Sequence, residues 1–139
     1  SAYGLPKHRH LSEIEEQLSF FAQKTVILSF HPHLSPMNKG ICSTISVPFK
    51  DIPNPNGIME CWEASYSNSP FTKILPIGVF PETSAVTGTN RIDFSLHVDE
   101  RTQRYVICSA EDNLIKGAGG QAIQAMNVCQ GYEQELGLL

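Results

Sequence analysis

Ile92, Phe94, Leu96 and Val98 alternate without a break against Asp93, Ser95, His97 and Asp99. A period of two sends apolar side chains to one side of an extended chain and polar ones to the other, so this stretch predicts a strand wet on one face. Asp99-Glu100-Arg101-Thr102 reads as a turn, and Arg104 to Ala110 as the antiparallel partner that returns from it. A half-wet pair of this kind belongs to an antiparallel sheet, because strands of a parallel sheet are buried on both faces.

The rest of the chain fits helices and further strands around that pair. Leu11, Ile14, Leu18 and Phe21 recur at helical spacing, and Ser12 followed by Glu15 has the form of a capping box, which predicts a helix over about 12–23. Residues 25–30 (TVILSF) and 41–49 are rich in β-branched and aromatic side chains and read as strands. The Pro/Asn cluster at 51–57 reads as a turn, with a short helix at about 58–66 after it. A last helix from Gln121 to Gln130 stops at Gly131, a residue suited to a left-handed cap. Strands in the middle with helices at both ends predict an α+β fold: a mostly antiparallel or mixed sheet with helices on one face.

With 139 residues, 41% hydrophobic and 17% charged, the chain has the profile of one compact domain. A domain of this size buries roughly 68–70% of the surface its unfolded chain exposes, so disulfides are not required. Cys42, Cys61, Cys108 and Cys129 form no Cys-x-x-Cys pair, which disfavours a zinc ribbon or redox motif and fits a reducing, cytoplasmic setting. The formal charge of −4 supplies no field for a nucleic-acid backbone. No apolar run approaches the roughly 20 residues of a membrane span, so neither nucleic acid nor membrane is an expected partner. The opening residues lack the order of a signal peptide, and the absence of an initial methionine suggests a piece of something longer.

Four motifs bear on chemistry. Gly117-x-Gly119-x-x-Ala122 matches a loose dinucleotide fingerprint, but no second strand follows the helix, so the glycines read as small residues for close helix packing. His8-Arg9-His10 and His31-Pro32-His33 could each turn two imidazoles to one metal; Arg9 beside one pair and Pro32 within the other argue against it, and no metal is expected. His8, flanked by Lys7 and Arg9 ahead of a helix N-terminus, could instead exchange protons while the cations hold a carboxylate or phosphate, or the group could be a solvated junction. The polar cluster in Glu111 to Gly117 lies between a strand and a Gly/Ala-rich helix, where it could meet the phosphates or carboxamides of a ligand, or Asp112 or Asn113 could simply cap the helix.

Read in order, Ala2-Tyr3 with His8-Arg9-His10 and Glu13-Ile14-Glu15, Pro32-His33-Leu34 with Pro36 to Ile41, Gly88-Thr89-Asn90, and Asp112 to Ala122 resemble the N-acetyl-gamma-glutamyl-phosphate reductases of the semialdehyde dehydrogenase group. The resemblance covers essentially all of residues 1–139. It implies the substrate-binding and dimerisation domain of an NADP-dependent enzyme of arginine biosynthesis, without the preceding Rossmann domain, against which the C-terminal helix would pack. In that family a cysteine in an Asn-Pro-Gly-Cys-Tyr-Pro context attacks the acyl phosphate. The resulting thioester takes hydride from NADPH and is released as the semialdehyde.

None of the four cysteines here has that context. By position, His8 looks like the acid/base histidine, Tyr3 and Arg9 look like substrate-pocket residues, and Asn113 looks placed to meet the nicotinamide end of NADP. The strand from Ile92 to Val98 and its neighbours would form the sheet of a homo-oligomer. Lys39 and His31 stand where arginine and threonine are common, and lysine lacks the bidentate fork of arginine. That keeps open a relative acting on the one-carbon-longer aminoadipyl phosphate of lysine biosynthesis. A non-enzymatic dimerisation module is the other alternative.

Overall fold

The computed structural model describes residues 1–138. It divides into two compact units, Ser1–Met37 and the chain from Asn38 onward, each taken by itself below.

In the first unit, helix α1 spans Leu11–Ala22. It starts without the capping box: His10 is the N-cap, no side chain caps the first turn, and Glu15 Oε1 instead accepts the backbone N–H of Leu28 at 3.0 Å. Ser19 Oγ accepts the N–H of Val26 at 2.9 Å. These two bonds explain why residues 25–30 are extended but form no strand. Helix side chains take the N–H groups that a ladder partner would need. Burial still alternates as in a strand, with Val26, Leu28 and Phe30 half-buried and Ile27 exposed. The face that α1 turns inward is Leu11, Ile14, Glu15 and Ser19; Leu18 and Phe21 are exposed, contrary to the expected apolar stripe.

The second unit is built on a four-stranded mixed sheet in the order β1-β4-β3-β2, with β1 at Ile41–Pro48, β2 at Thr72–Ile74, β3 at Ile92–Asp99 and β4 at Arg104–Glu111. β4 pairs antiparallel with both β1 and β3, Leu96 lying opposite Ile107 and Ile107 opposite Ile45. β2 adds a short parallel edge, Thr72 to Ile74 against Ile92 to Phe94, which periodicity did not reveal in three residues. Helix α2, Pro55–Tyr66, begins earlier than expected because Asn54 Oδ1 caps it through the N–H of Gly57 at 3.0 Å and Pro55 suits the first turn. Trp62 and Tyr66 of α2 meet Phe94 edge-on at 4.9 and 5.5 Å.

Phe94 and Leu96 form the core of the unit with Phe71, Leu75, Val86 and Ala110. The other face of β3 is not wet as expected. Ser95 is fully buried, Asp93 is 2% exposed, and Phe80 stacks on His97 at 4.1 Å. Asp93 tolerates burial because Arg91 grips it twice, Nε to Oδ1 at 2.6 Å and Nη2 to Oδ2 at 3.2 Å, while Nη2 also donates to the carbonyl of Ala85 in the single-turn helix α3, Thr83–Val86.

After β4 the chain makes a π-helix, Ile115–Gly119, that runs directly into α4, Gly120–Gln130, which ends on left-handed Gly131 (φ 73°). Gly120 is the glycine that close packing demands. A Cβ there would lie 2.3 Å from Asn90 Oδ1 and 2.9 Å from the carbonyl oxygen of Ile115. Gly120→Ala is therefore expected to destabilise the protein by about 1–3 kcal/mol in urea unfolding, whereas Gly119→Ala, with its nearest contact at 3.7 Å, should escape that overpacking.

Candidate functional site

In the first unit the elements converge on His8. Tyr3 N–H donates to the Pro32 carbonyl at 3.1 Å and Leu34 N–H to the Ser1 carbonyl at 2.8 Å, with an antiparallel bridge between Ala2 and His33. Two of the sequence segments singled out above, 2–10 and 32–34, are thus laced together. The His8 carbonyl accepts the N–H of Leu11 at 3.0 Å, tying the residue to the start of α1.

Its ring is bordered by three others, all edge-on: His10 at 5.0 Å, Phe30 at 5.3 Å and Tyr3 at 5.4 Å. The backbone of Gly4 approaches so closely that a Cβ would lie 2.7 Å from His8 Cδ2. Gly4 also has φ 65°, a left-handed conformation that side chains disfavour. His8 is half-buried, Tyr3 is 43% exposed and Arg9 is exposed, so the imidazole is fenced by rings while a cation and a phenol stand in solvent beside it.

His31 and His33 are engaged separately: His31 Nε2 is 2.9 Å from Ser29 Oγ, and His33 Nδ1 is 2.9 Å from the His31 carbonyl. Among the described residues no three His, Cys, Asp or Glu side chains converge on a point where a metal could bind.

In the second unit the polar run at the end of β4 caps the following helix through Asp112. Asp112 is fully buried and organises the backbone: Oδ2 accepts Gly88 N–H at 2.8 Å, and Oδ1 accepts Leu114 N–H at 2.8 Å and Ile115 N–H at 3.1 Å. The Gly88 donor, with those of Leu114 and Ile115 and the charge of Lys39, holds the Asp112 carboxyl below the usual carboxylate range against the opposing effect of burial.

Asn113 does not cap the helix. Its Oδ1 accepts Gly40 N–H at 2.8 Å, which leaves Nδ2 as the amide's donor. Burial pushes the Glu111 carboxyl up and the Lys116 ammonium down, each partly countered by the other's charge. Lys116 Nζ donates to Gln124 Oε1, which also receives Asn90 Nδ2, so the π-helix and α4 share one polar network. Sequence reading missed Gly4, Phe30 and Gly40. The first two needed the fold to bring them to the imidazole, and the third acts only through its backbone.

The family model for the semialdehyde dehydrogenase dimerisation domain matches residues 1–113. The chain belongs to this family. The dimerisation domain is 47% identical over 137 residues to the N-acetyl-gamma-glutamyl-phosphate reductase of Akkermansia muciniphila, covering 99% of this chain and 40% of that protein. It is 47% identical to the reductase of the same name from Geotalea daltonii and 45% identical to that from Gloeothece citriformis, again over 99% of this chain. The domain spans about 40% of the length of these curated relatives.

Among solved structures, the crystal structure of aspartate semialdehyde dehydrogenase II complexed with ASA from Vibrio cholerae superposes with a TM-score of 0.62 at 14% identity, covering 90% of this chain and 38% of that one. That likeness establishes the fold: α+β, with a mixed sheet. Among the described residues no helix is long and apolar enough to cross a membrane.

Proposed function

We propose that the dimerisation domain is the C-terminal part of an N-acetyl-gamma-glutamyl-phosphate reductase, converting the acyl phosphate to the semialdehyde in the cytoplasm. One observation carries the reading: 47% identity to a reductase of that name along 99% of the chain. NADP(H) supplies the hydride when bound, and its principal binding site belongs to a nucleotide-binding domain outside this sequence.

His8 is the catalytic imidazole, exchanging a proton with the reacting acyl group or the sulfur that attacks it. Arg9 and Tyr3 bind substrate. The exposed guanidinium suits a phosphate or carboxylate, and the phenol offers a hydroxyl at the edge of the same ring cluster. Asn113 fits a nicotinamide carboxamide, because Gly40 occupies its oxygen and Nδ2 is left to donate to a carbonyl.

The remaining surface supports a larger assembly. α4 is inverted for a surface helix: Gly120 and Asn127 are buried, while Ile123, Met126 and Val128 are 40, 52 and 56% exposed. A helix with its polar side inward and apolar side outward wants a second apolar surface, and we assign that surface to the nucleotide-binding half. The family's description as a dimerisation domain supports a homo-oligomer, and we assign its interface to the sheet.

The test is NADPH consumption by the full-length protein with N-acetyl-gamma-glutamyl phosphate. Turnover dependent on that acyl phosphate is expected, its absence overturns the reading, and a preference for aminoadipyl phosphate moves it to the lysine-pathway relative. The 139-residue chain alone is expected to give no reductase activity above background, because none of its free cysteines lies in the nucleophile's sequence context.

A further inference from the structure

We propose that the segment after α4, residues 132–138, is a strap that positions Asn113 from a distance, through a relay of side chains running from Gln134 to Gln124 to Lys116. The proposal rests on Asn113 meeting the nicotinamide carboxamide and names what holds it there. α4 turns Gly120, Gln124 and Asn127 inward, a polar seam at helical spacing, and the strap is bonded to it. Asn127 Nδ2 donates to the carbonyls of Gln134 at 3.2 Å and Leu136 at 2.9 Å, and the Asn127 carbonyl accepts Tyr132 N–H at 2.8 Å. Tyr132 and Leu136 remain exposed, so the strap is secured chiefly by these hydrogen bonds.

The polarity of the relay is dictated at its far end. Lys116 Nζ carries only donors, so the Gln124 atom 2.9 Å from it is the oxygen, and Gln124 Nε2 is left to donate to Gln134 Oε1 at 3.0 Å. Asn90 Nδ2 donates to the same Gln124 oxygen at 3.0 Å, which leaves the fully buried Asn90 Oδ1 without a hydrogen-bond partner beside Gly120. Turning the Asn90 amide over would set oxygen against oxygen, so the ammonium fixes this orientation too. The Phe71 ring holds Lys116 from another side, its centroid 5.8 Å from Nζ.

Lys116 stands in the π-helix three residues after Asn113. Gly117 N–H donates to the Asp112 carbonyl at 2.9 Å and Gly119 N–H to the Leu114 carbonyl at 3.1 Å, each five residues back. Such wide winding is rare and is frequent at functional sites. Here it is held at one end by the Asp112 carboxylate on Leu114 and Ile115 and along its length by Lys116 on α4. Asn113 lies inside the loop so closed. Without the Lys116 anchor the winding is free to tighten toward the α-helical pattern, which turns the backbone ahead of it and the Asn113 amide with it.

The test measures the dissociation constant of NADPH by fluorescence titration of the full-length protein, which needs no turnover. Gln134→Leu removes the acceptor on the strap and should weaken NADPH binding by about 5–10-fold, the contribution of about one hydrogen bond, with the KM for the acyl phosphate little changed. Gln134→Glu keeps an acceptor oxygen for Gln124 and should bind NADPH within about twofold of wild type. Loss of affinity in both variants, or in neither, overturns the relay. In an Asn113→Ala background Gln134→Leu should cause no further loss; a full additive loss there means the strap does not act through Asn113. If Asn113→Ala alone leaves NADPH affinity unchanged, or wild type binds no NADPH, the nicotinamide reading of Asn113 fails. The strap is then decided by backbone amide exchange, which Gln134→Leu should speed in residues 114–120 and leave unaltered in β3 and β4. Unchanged exchange in residues 114–120 overturns it.

Discussion

Replacing His8 by alanine in the full-length protein is expected to lower kcat by about 10²–10⁴-fold, the usual worth of a positioned acid/base group. The effect should fall on kcat far more than on the KM for the acyl phosphate. A group that acts on charge or protons developing in the transition state contributes little to ground-state binding. Arg9→Ala is the internal contrast: its guanidinium is exposed and suited to holding an anionic substrate, so its loss should appear chiefly in KM.

Stability should distinguish this result from simple unfolding. His8 is only half-buried, and its three aromatic neighbours meet it by their edges rather than enclosing it in a core. Steady-state kinetics on a variant shown by circular dichroism to be folded decide the matter, and a kcat within a few-fold of wild type removes His8 from the chemistry.

The parts of this fold that were legible in the sequence are those where local periodicity and tertiary packing agree. β3 and β4 pair in the expected antiparallel sense, and Gly131 ends α4 in the left-handed conformation. Where they disagree, a side chain has competed for the backbone. Glu15 and Ser19 bind the N–H groups of Leu28 and Val26, which cost α1 its capping box and residues 25–30 their strand.

Buried polar residues defeated the pattern in the other direction. Asp93 and Ser95 read as the wet side of β3, yet the Arg91 fork satisfies the carboxylate, and Ser95 Oγ lies 2.9 Å from His97 Nε2. Both partners lie only two positions away in the chain, yet alternation alone does not say whether a polar side chain meets such a neighbour or water. The candidate site divides similarly: His8 and Arg9 stand out by residue type and neighbours, and Tyr3 only through the family resemblance. Gly4 could not, because its importance lies in a distance to the imidazole edge, and Gly40 could not, because it contributes an N–H that every residue but proline possesses.

Asp112→Ala is expected to cost about 3 kcal/mol or more, because it strands the donors of Gly88, Leu114 and Ile115 together. Those donors come from two separate segments, so the carboxylate fastens the Gly88 loop to the start of the π-helix, and its loss should loosen the backbone that carries Asn113.

The pH dependence has a definite sign. The folded-state pKa of Asp112 is depressed, so its contribution is complete above the unfolded-state value of about 3.9 and is lost as pH falls through the lower folded value. Glu111, next in the chain, works oppositely: burial raises its pKa, so its contribution is present in acid and is lost as pH rises through the folded value. Wild-type stability should therefore fall on acidification below about pH 4 with a slope that Asp112→Asn reduces, since asparagine keeps one acceptor oxygen and does not titrate. Urea unfolding of wild type, Asp112→Asn and Asp112→Ala at pH 7 and in the acid range reads both effects. An Asp112→Ala variant as stable as wild type at pH 7, or an Asp112→Asn variant with the full acid slope, would mean the three amide donors find water as easily as they find this carboxylate.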